Sequence, residues 1–207
     1  MPKVKSLRET YDLIAKGWFE SHKKITWWLE STDKFISLLK PGASVLDVGC
    51  GAGIKTKYLS EHGLRVTAFD FSSQMVDIAK KEAPGANIFV MDLYDVEKLD
   101  QTYDGIFLLA VLLHVPRKEV QGLLKNYAAR LRPKGFLYIG VKEVGPDGTE
   151  EEMRQESNFG LTYQRFFSYF RSSEITSYLN QLGFNIIYEN IRLADKTNWV
   201  NVIGQKR

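Results

Sequence analysis

Hydrophobic positions recur along the chain in two periods, and the alternation between them maps the elements. Tyr11, Ile14, Ala15, Trp18 and Phe19 fall at helical spacing, and Phe35, Ile36, Leu38 and Leu39 form a second short apolar face stopped by Pro41-Gly42. SVLDV then reads as a strand, and a helix from Ile54 ends at Gly63. VTAFD is a second strand, after which Ser72 or Ser73 caps a helix ending near Pro84-Gly85. NIFVM and GIFLLA are the third and fourth strands, with an acidic link from Asp92 to Asp100 between them. A helix from about Lys118 to Leu131, stopped by Pro133 and Gly135, leads into the fifth strand, FLYIGV. IFLL and LYIGV are apolar on both faces, as in strands covered by helices on each side. The pattern predicts an α/β fold, a doubly wound and mostly parallel sheet with helices on both faces.

The last third changes character. From Gly145 to Asn158 the chain is polar and acidic, with no sustained apolar period, which predicts a loop or the base of a lid. RFFSYF follows as an extended aromatic segment, and Ser172 or Ser173 caps a helix through Leu182, closed by Gly183. FNIIYENI and NWVNVIG are joined by a short turn near Asp195-Lys196, so they must pair antiparallel. With no repeat and no linker, we expect a single domain over 1–207. An N-terminal helical lid at 1–34 and the loop and aromatic segment at 145–172 would lie over its site.

Composition narrows the class. A chain of 207 residues with 44% hydrophobic content buries a full core. A net charge of +3 with no basic run argues against nucleic acid as a partner. No apolar run reaches membrane-spanning length, and MPKVKSLRET lacks a signal-peptide core. Cys50 is the lone cysteine and cannot form an internal disulfide, so a cytoplasmic monomer or homodimer is expected. His22, His62 and His114 show no metal-ligand spacing.

The chemistry concentrates in VLDVGCGAG, Val45 to Gly53, and in Asp70 at the end of VTAFD. A buried strand, a glycine turn, a helix start and a second strand ending in a carboxylate place an adenosine-type ligand at the sheet's carboxyl edge. Gly49, Gly51 and Gly53 remove Cβ atoms where backbone, helix and ligand converge, and Asp70 stands about twenty residues on, where a ribose-binding acid is expected. The spacing is G-x-G-x-G and not the dinucleotide G-x-G-x-x-G, and Asp47 precedes it. An unpaired carboxylate there repels a pyrophosphate, whereas S-adenosyl-L-methionine carries an ammonium and a sulfonium that suit it. Asp47 would equally cap amides of the turn, and the two roles are compatible. Cys50 contributes backbone and not a nucleophilic thiol, since the motif supplies no base.

On these residues the chain resembles the class I S-adenosylmethionine-dependent methyltransferases, over roughly Phe35 to Arg207. VLDVGCGAG is similar to that family's first motif, VTAFDFS to the second, NIFVMDL to the third, and YDGIFLLAVLLHV and LRPKGFLYIGV to its fourth and fifth strand segments. The resemblance implies a Rossmann-like methyltransferase fold whose seven strands end in an antiparallel pair. It also implies that Asp70 binds ribose, that Phe71 lies beside the adenine with Met75, and that Asp92 and Leu93 meet its edge. Ala110 joins that cofactor-binding set. AVLLHV stands where other members carry an N-P-P-Y-type motif for planar amines, which favours a small-molecule methyl acceptor.

A methyl acceptor that is protonated at neutral pH needs a base. His114, just past the fourth strand, is the best placed, followed by Tyr11 and His22, then Lys142 or Glu143. A packed or capping role for His114 is the alternative. Tyr11, Trp18, Phe19, Trp27 and Trp28, with Phe159, Tyr163, Phe166, Phe167 and Tyr169, would roof the acceptor or simply pack. Arg165 and Arg171 would suit a carboxylate or phosphate on the acceptor. Two rival readings are a non-catalytic S-adenosylmethionine-binding module and an NAD(P)-dependent oxidoreductase on the same fold class.

Overall fold

The computed structural model describes residues 6–207; Met1–Lys5, the start of the expected N-terminal lid, lie outside the described residues. In chain order, the helices are α1 (Leu7–His22), α2 (Leu29–Ser37), α3 (Ile54–Glu61), α4 (Ser73–Glu82), α5 (Arg117–Ala129) and α6 (Ser172–Gln181). The strands are β1 (Ser44–Val48), β2 (Arg65–Asp70), β3 (Asn87–Val90), β4 (Tyr103–Leu109), β5 (Leu131–Lys142), β6 (Glu151–Asn158), β7 (Leu161–Ser168), β8 (Phe184–Ala194) and β9 (Thr197–Lys206).

Seven strands form one sheet in the order β3-β2-β1-β4-β5-β9-β8. The first five are parallel, and β9 and β8 run antiparallel, as the short turn at Asp195-Lys196 requires. The order of strands along the chain reverses between β1 and β4, so a crevice opens at their carboxyl ends. Alternate residues of each strand feed two cores. Leu46, Ile106, Leu108 and Ile139 pack under Leu124 and Tyr127 of α5 and Ile175 and Leu179 of α6. Val45, Phe107, Tyr138 and Ile203 meet Phe35 of α2, Leu59 of α3 and Val76 of α4. Among the described residues, no helix is long and apolar enough to cross a membrane.

Several elements depart from the sequence expectation. The expected loop before Asn158 contains β6, which pairs with β7 as a separate two-stranded hairpin from Glu151↔Ser168 to Asn158↔Leu161. β6 is largely exposed on both faces, so no buried face wrote an alternation into its sequence. Phe159 (φ +57) and Gly160 (φ +73) make its two-residue turn, the paired left-handed geometry that matches strand twist. α5 ends at Ala129, and Pro133 lies in the exposed first part of β5 instead of stopping a helix. α2 begins at Leu29, ahead of the apolar face read from Phe35. The acidic link folds into a 3-10 turn, Leu93–Lys98. α6 is capped by neither serine: the Glu174 carboxylate accepts from the Arg171 N–H at 2.7 Å, while Ser172 Oγ donates to Glu189. At α4 the reading was right in kind, with Ser72 Oγ accepting from the Met75 N–H at 3.2 Å.

The hairpin is fixed at its root by Arg117. That guanidinium donates to the Tyr169 carbonyl and pairs with Glu174 and Glu150, and its backbone N–H donates to Glu151 at 2.6 Å. At the tip the contact is narrow: the Phe159 ring covers Gly17 of α1 so closely that a Cβ there would stand 2.6 Å from it. α1 docks on α4 through Asp12, which accepts from Ser72 Oγ at 2.6 Å and from the Gln74 N–H at 3.2 Å.

Candidate active site

The glycine turn leaves β1 through three left-handed residues, Gly49 (φ +61), Gly51 (φ +54) and Gly53 (φ +81). Their surroundings differ. A Cβ on Gly53 would lie 2.7 Å from Ala79 Cα of α4, whereas one on Gly51 would meet only the Trp18 ring, at 3.8 Å, and would project into the crevice. Gly51 therefore lines the cleft, and Gly53, expected to bind ligand, stands behind it as a helix-packing residue. Cys50 is buried; burial and the charges of Asp47 and Asp70 push its thiol up, so its contribution is backbone.

Asp70 ends β2 at 5% exposure. Its two carboxylate oxygens accept from the Gly51 and Ser72 N–H groups, each at 2.9 Å, tying the glycine turn to the start of α4. Each oxygen keeps a second lone pair for a ligand. Burial raises this carboxyl to about 6 against those hydrogen bonds. Asp47 accepts from Thr56 Oγ1 at 2.6 Å, and burial raises it to about 7. Lys55 stands beside it on the cleft wall, lowered to about 8 by burial, with Nζ 5.6 Å over the rings of both Trp18 and Trp28.

Sequence reading missed Lys55. The available signal was a lysine in the first turn of a helix, where the macrodipole disfavours a cation.

Toward β3 the cleft continues past Phe71, Met75, Asp92 and Leu93. Met75 is buried, and Asp92 accepts from the Tyr94 N–H at 3.2 Å and pairs with Arg8 at 3.5 Å. Ala110 lies at the cleft's far wall with φ +60, a left-handed alanine held by an N–H donated to the Gly140 carbonyl at 2.8 Å.

A second chamber opens on the other side of Ala110, and Tyr11, Trp18, Lys55 and His114 line both. At this junction His114 Nδ1 lies 2.7 Å from the Phe166 carbonyl, so that nitrogen carries the hydrogen. Nε2 therefore accepts, from the Tyr11 hydroxyl at 2.8 Å, and the Tyr11 oxygen accepts from Arg165 at 2.8 Å. Arg165 is held in turn by Glu156, at 2.5 and 2.7 Å. Burial lowers His114 to about 3, and burial raises Tyr11 against the opposing pull of Arg165.

His114 thus meets Tyr11 through the Nε2 lone pair that a base would use, and burial disfavours its protonated form. Tyr11 lines both chambers, and its hydroxyl is oriented by a directed chain across α1, the turn after β4, and the hairpin. Of the other base candidates, His22 stacks on Trp18 at 4.1 Å with Nδ1 against the Trp18 carbonyl, and Glu143 accepts from Asn198 away from both chambers. Arg171 pairs with Glu150 outside them.

Residues 21–189 match the family described as a methyltransferase domain. Among curated proteins, the ubiquinone biosynthesis O-methyltransferase of Coxiella burnetii is 38% identical over 104 residues, 48% of this chain and 44% of that protein. The chloroplastic magnesium protoporphyrin IX methyltransferase of Arabidopsis thaliana is 32% identical over 116 residues, 50% of this chain and 37% of that protein. The matched stretch thus spans less than half the length of either relative. Among solved structures, the 1,6-didemethyltoxoflavin-N1-methyltransferase of Burkholderia thailandensis, with bound 1,6-didemethyltoxoflavin and S-adenosylhomocysteine, superposes with a TM-score of 0.69 at 21% identity. It covers 100% of this chain and 93% of its own. At that identity the likeness is one of fold. With its glycine turn, its strand order and a family match over most of its length, the chain belongs to the methyltransferase domain family.

Proposed function

We propose that this chain transfers a methyl group from S-adenosyl-L-methionine to a small-molecule acceptor, acting as one cytoplasmic domain with α1 and the β6–β7 hairpin as its lid. The observation that carries this reading is the pair of chambers sharing Tyr11, Ala110 and His114: one fits the cofactor, and the other is walled by aromatic rings. The first fits by the chemistry of its donors. Asp47 suits the ammonium, Lys55 the carboxylate, Asp70 the ribose diol, Phe71 and Met75 the adenine faces, and Asp92 and Leu93 its polar edge. The Gly51 cradle leaves space that a Cβ would fill. When bound, S-adenosyl-L-methionine supplies an electrophilic methyl group on a cationic sulfur. The chain then has to hold an acceptor in line and exclude water, for which alignment contributes up to about 7–11 kcal/mol. The Tyr11 hydroxyl oxygen, which donates its proton to His114 and accepts from Arg165, has one lone pair left to accept a hydrogen bond from the acceptor and so orient its nucleophilic atom.

Calorimetric titration with S-adenosylmethionine, S-adenosylhomocysteine and NADH, followed by a small-molecule acceptor screen, tests this. Micromolar binding of the first two and methyl transfer to an acceptor support it. Binding of NADH alone refutes it, and cofactor binding without any transfer favours the non-catalytic module. Tyr11→Phe should lower turnover by about 10- to 100-fold while S-adenosylhomocysteine affinity stays within about twofold. Unchanged turnover removes Tyr11 from the mechanism.

The raised carboxyls give a pH dependence. Asp47, at about 7, and Asp70, at about 6, must be ionised to hold a cation and a diol, so cofactor affinity should fall as pH drops through that range. Binding at about pH 6.5, between the two values, should then release protons, read as a buffer-dependent calorimetric enthalpy. Stability moves the other way. Both groups are raised from 3.8, so the ligand-free fold binds more protons than the unfolded chain between about pH 4 and 7. Their contribution to stability is therefore lost as pH rises through that window. Affinity that is flat from pH 5.5 to 8 would remove both acids from the binding role.

A further inference from the structure

We infer that the methyl acceptor is an aromatic ring bearing an anionic group, and that Lys142 recognises that group; this rests on the proposed function in taking the second chamber as the acceptor's. Lys142 ends β5 on the chamber wall, opposite Trp199 of β9 in the strand register. Its Nζ lies 4.3 Å over the Phe167 ring, and among the described residues it has no carboxylate at ion-pair distance. The neighbouring cation is already satisfied, since Arg165 is held by both oxygens of Glu156.

The field at Lys142 is positive apart from its own charge: Arg165 and Arg154 outweigh Glu156 and Glu152. Burial and these arginines lower it to about 8, and a bound anion would raise it again. Asp195 also lines the chamber, and Lys55 stands at its junction with the cofactor cleft.

Part of the remaining wall is aromatic. Trp27 stacks on Trp199 at 4.2 Å, and Phe167 continues the surface beneath Lys142. Such a slot takes a ring face-on. Aromatic walls would also suit a quaternary ammonium, but an uncompensated lysine in the same chamber opposes a cation. An anionic substituent set on Lys142 leaves the rest of the ring to extend toward Tyr11, where the nucleophilic atom is needed.

The test uses the full chain saturated with S-adenosylhomocysteine and reads tryptophan fluorescence on titration. The probes are 4-hydroxybenzoate, phenyl phosphate, benzyl alcohol and benzyltrimethylammonium. One or both anionic rings should bind at least tenfold more tightly than the neutral and cationic ones, and which of them does so distinguishes a carboxylate from a phosphate. Lys142→Met should weaken that binding at least tenfold while Lys142→Arg retains it and S-adenosylhomocysteine affinity is unchanged in both. Lys142→Gln replaces the Met variant if the latter fails to bind S-adenosylhomocysteine. Equal binding of the neutral or cationic ring, no ring binding at all, or anion binding unaffected in the folded variant overturns the inference and leaves the proposed function standing. Failure of the wild-type chain to bind S-adenosylhomocysteine overturns both.

Discussion

Asp70→Ala should weaken S-adenosylhomocysteine binding by about 1–3 kcal/mol, the scale of lost hydrogen bonds to a charged group. The carboxylate has two jobs that the substitution removes together. It is the acid available to a ribose diol, and it fixes the turn from below by accepting the Gly51 and Ser72 N–H groups. Without it those two donors face a buried void, so the ligand-free protein should also melt earlier. Asp70→Asn separates the effects, because the amide keeps an acceptor for one N–H and sets its NH₂ against the other. Calorimetry and thermal melting on both variants give the comparison, and wild-type affinity in Asp70→Ala would end the ribose assignment.

Gly53→Ala should destabilise the fold by about 3 kcal/mol or more, whereas Gly51→Ala should mainly abolish ligand binding. Both positions are left-handed, which costs an alanine about 1–2 kcal/mol. At Gly53 the new methyl also meets the Ala79 backbone at 2.7 Å, and a helix backbone cannot swing aside. At Gly51 the nearest atoms are 3.8 Å away on the Trp18 ring, so the protein accommodates the methyl and the ligand does not. For a chain of this size, Gly53→Ala should lower Tm by about 6–12 °C. Equal melting losses in the two variants would mean that the glycines share one structural role.

The core sheet was legible because its central strands β1 and β4 are buried on both faces, and turn residues announce where its helices stop. β6 was not, because EEMRQESN has no buried side and its pairing with β7 is set by a two-residue turn carrying a phenylalanine. Pro133 was read as a helix stop, although an exposed strand start tolerates it equally well. The site divides in the same way. Asp47, Gly51 and Asp70 could be found because the backbone they serve is local. Tyr11, His114 and Arg165 come from α1, the turn after β4, and β7, with sequence separations of 103 and 154. No spacing rule reports such a meeting, and the chain of donors that fixes the His114 tautomer appears only when all three are in place. Lys55 was visible only as an exception to the helix-dipole preference.

The unequal ends of the hairpin give it the mechanics of a cantilever. Its root is clamped by one guanidinium reaching two carboxylates and a carbonyl, while its tip rests on α1 through a single ring over a glycine. Between the two ends, Arg165 and the Phe166 carbonyl hold Tyr11 and His114. Were the tip to lift from Gly17, Arg165 would part from Tyr11, and its return would re-form the chain of donors. A hairpin that opened in this way would leave the junction hydroxyl without its orienting chain, which couples the proposed lid to the proposed chemistry.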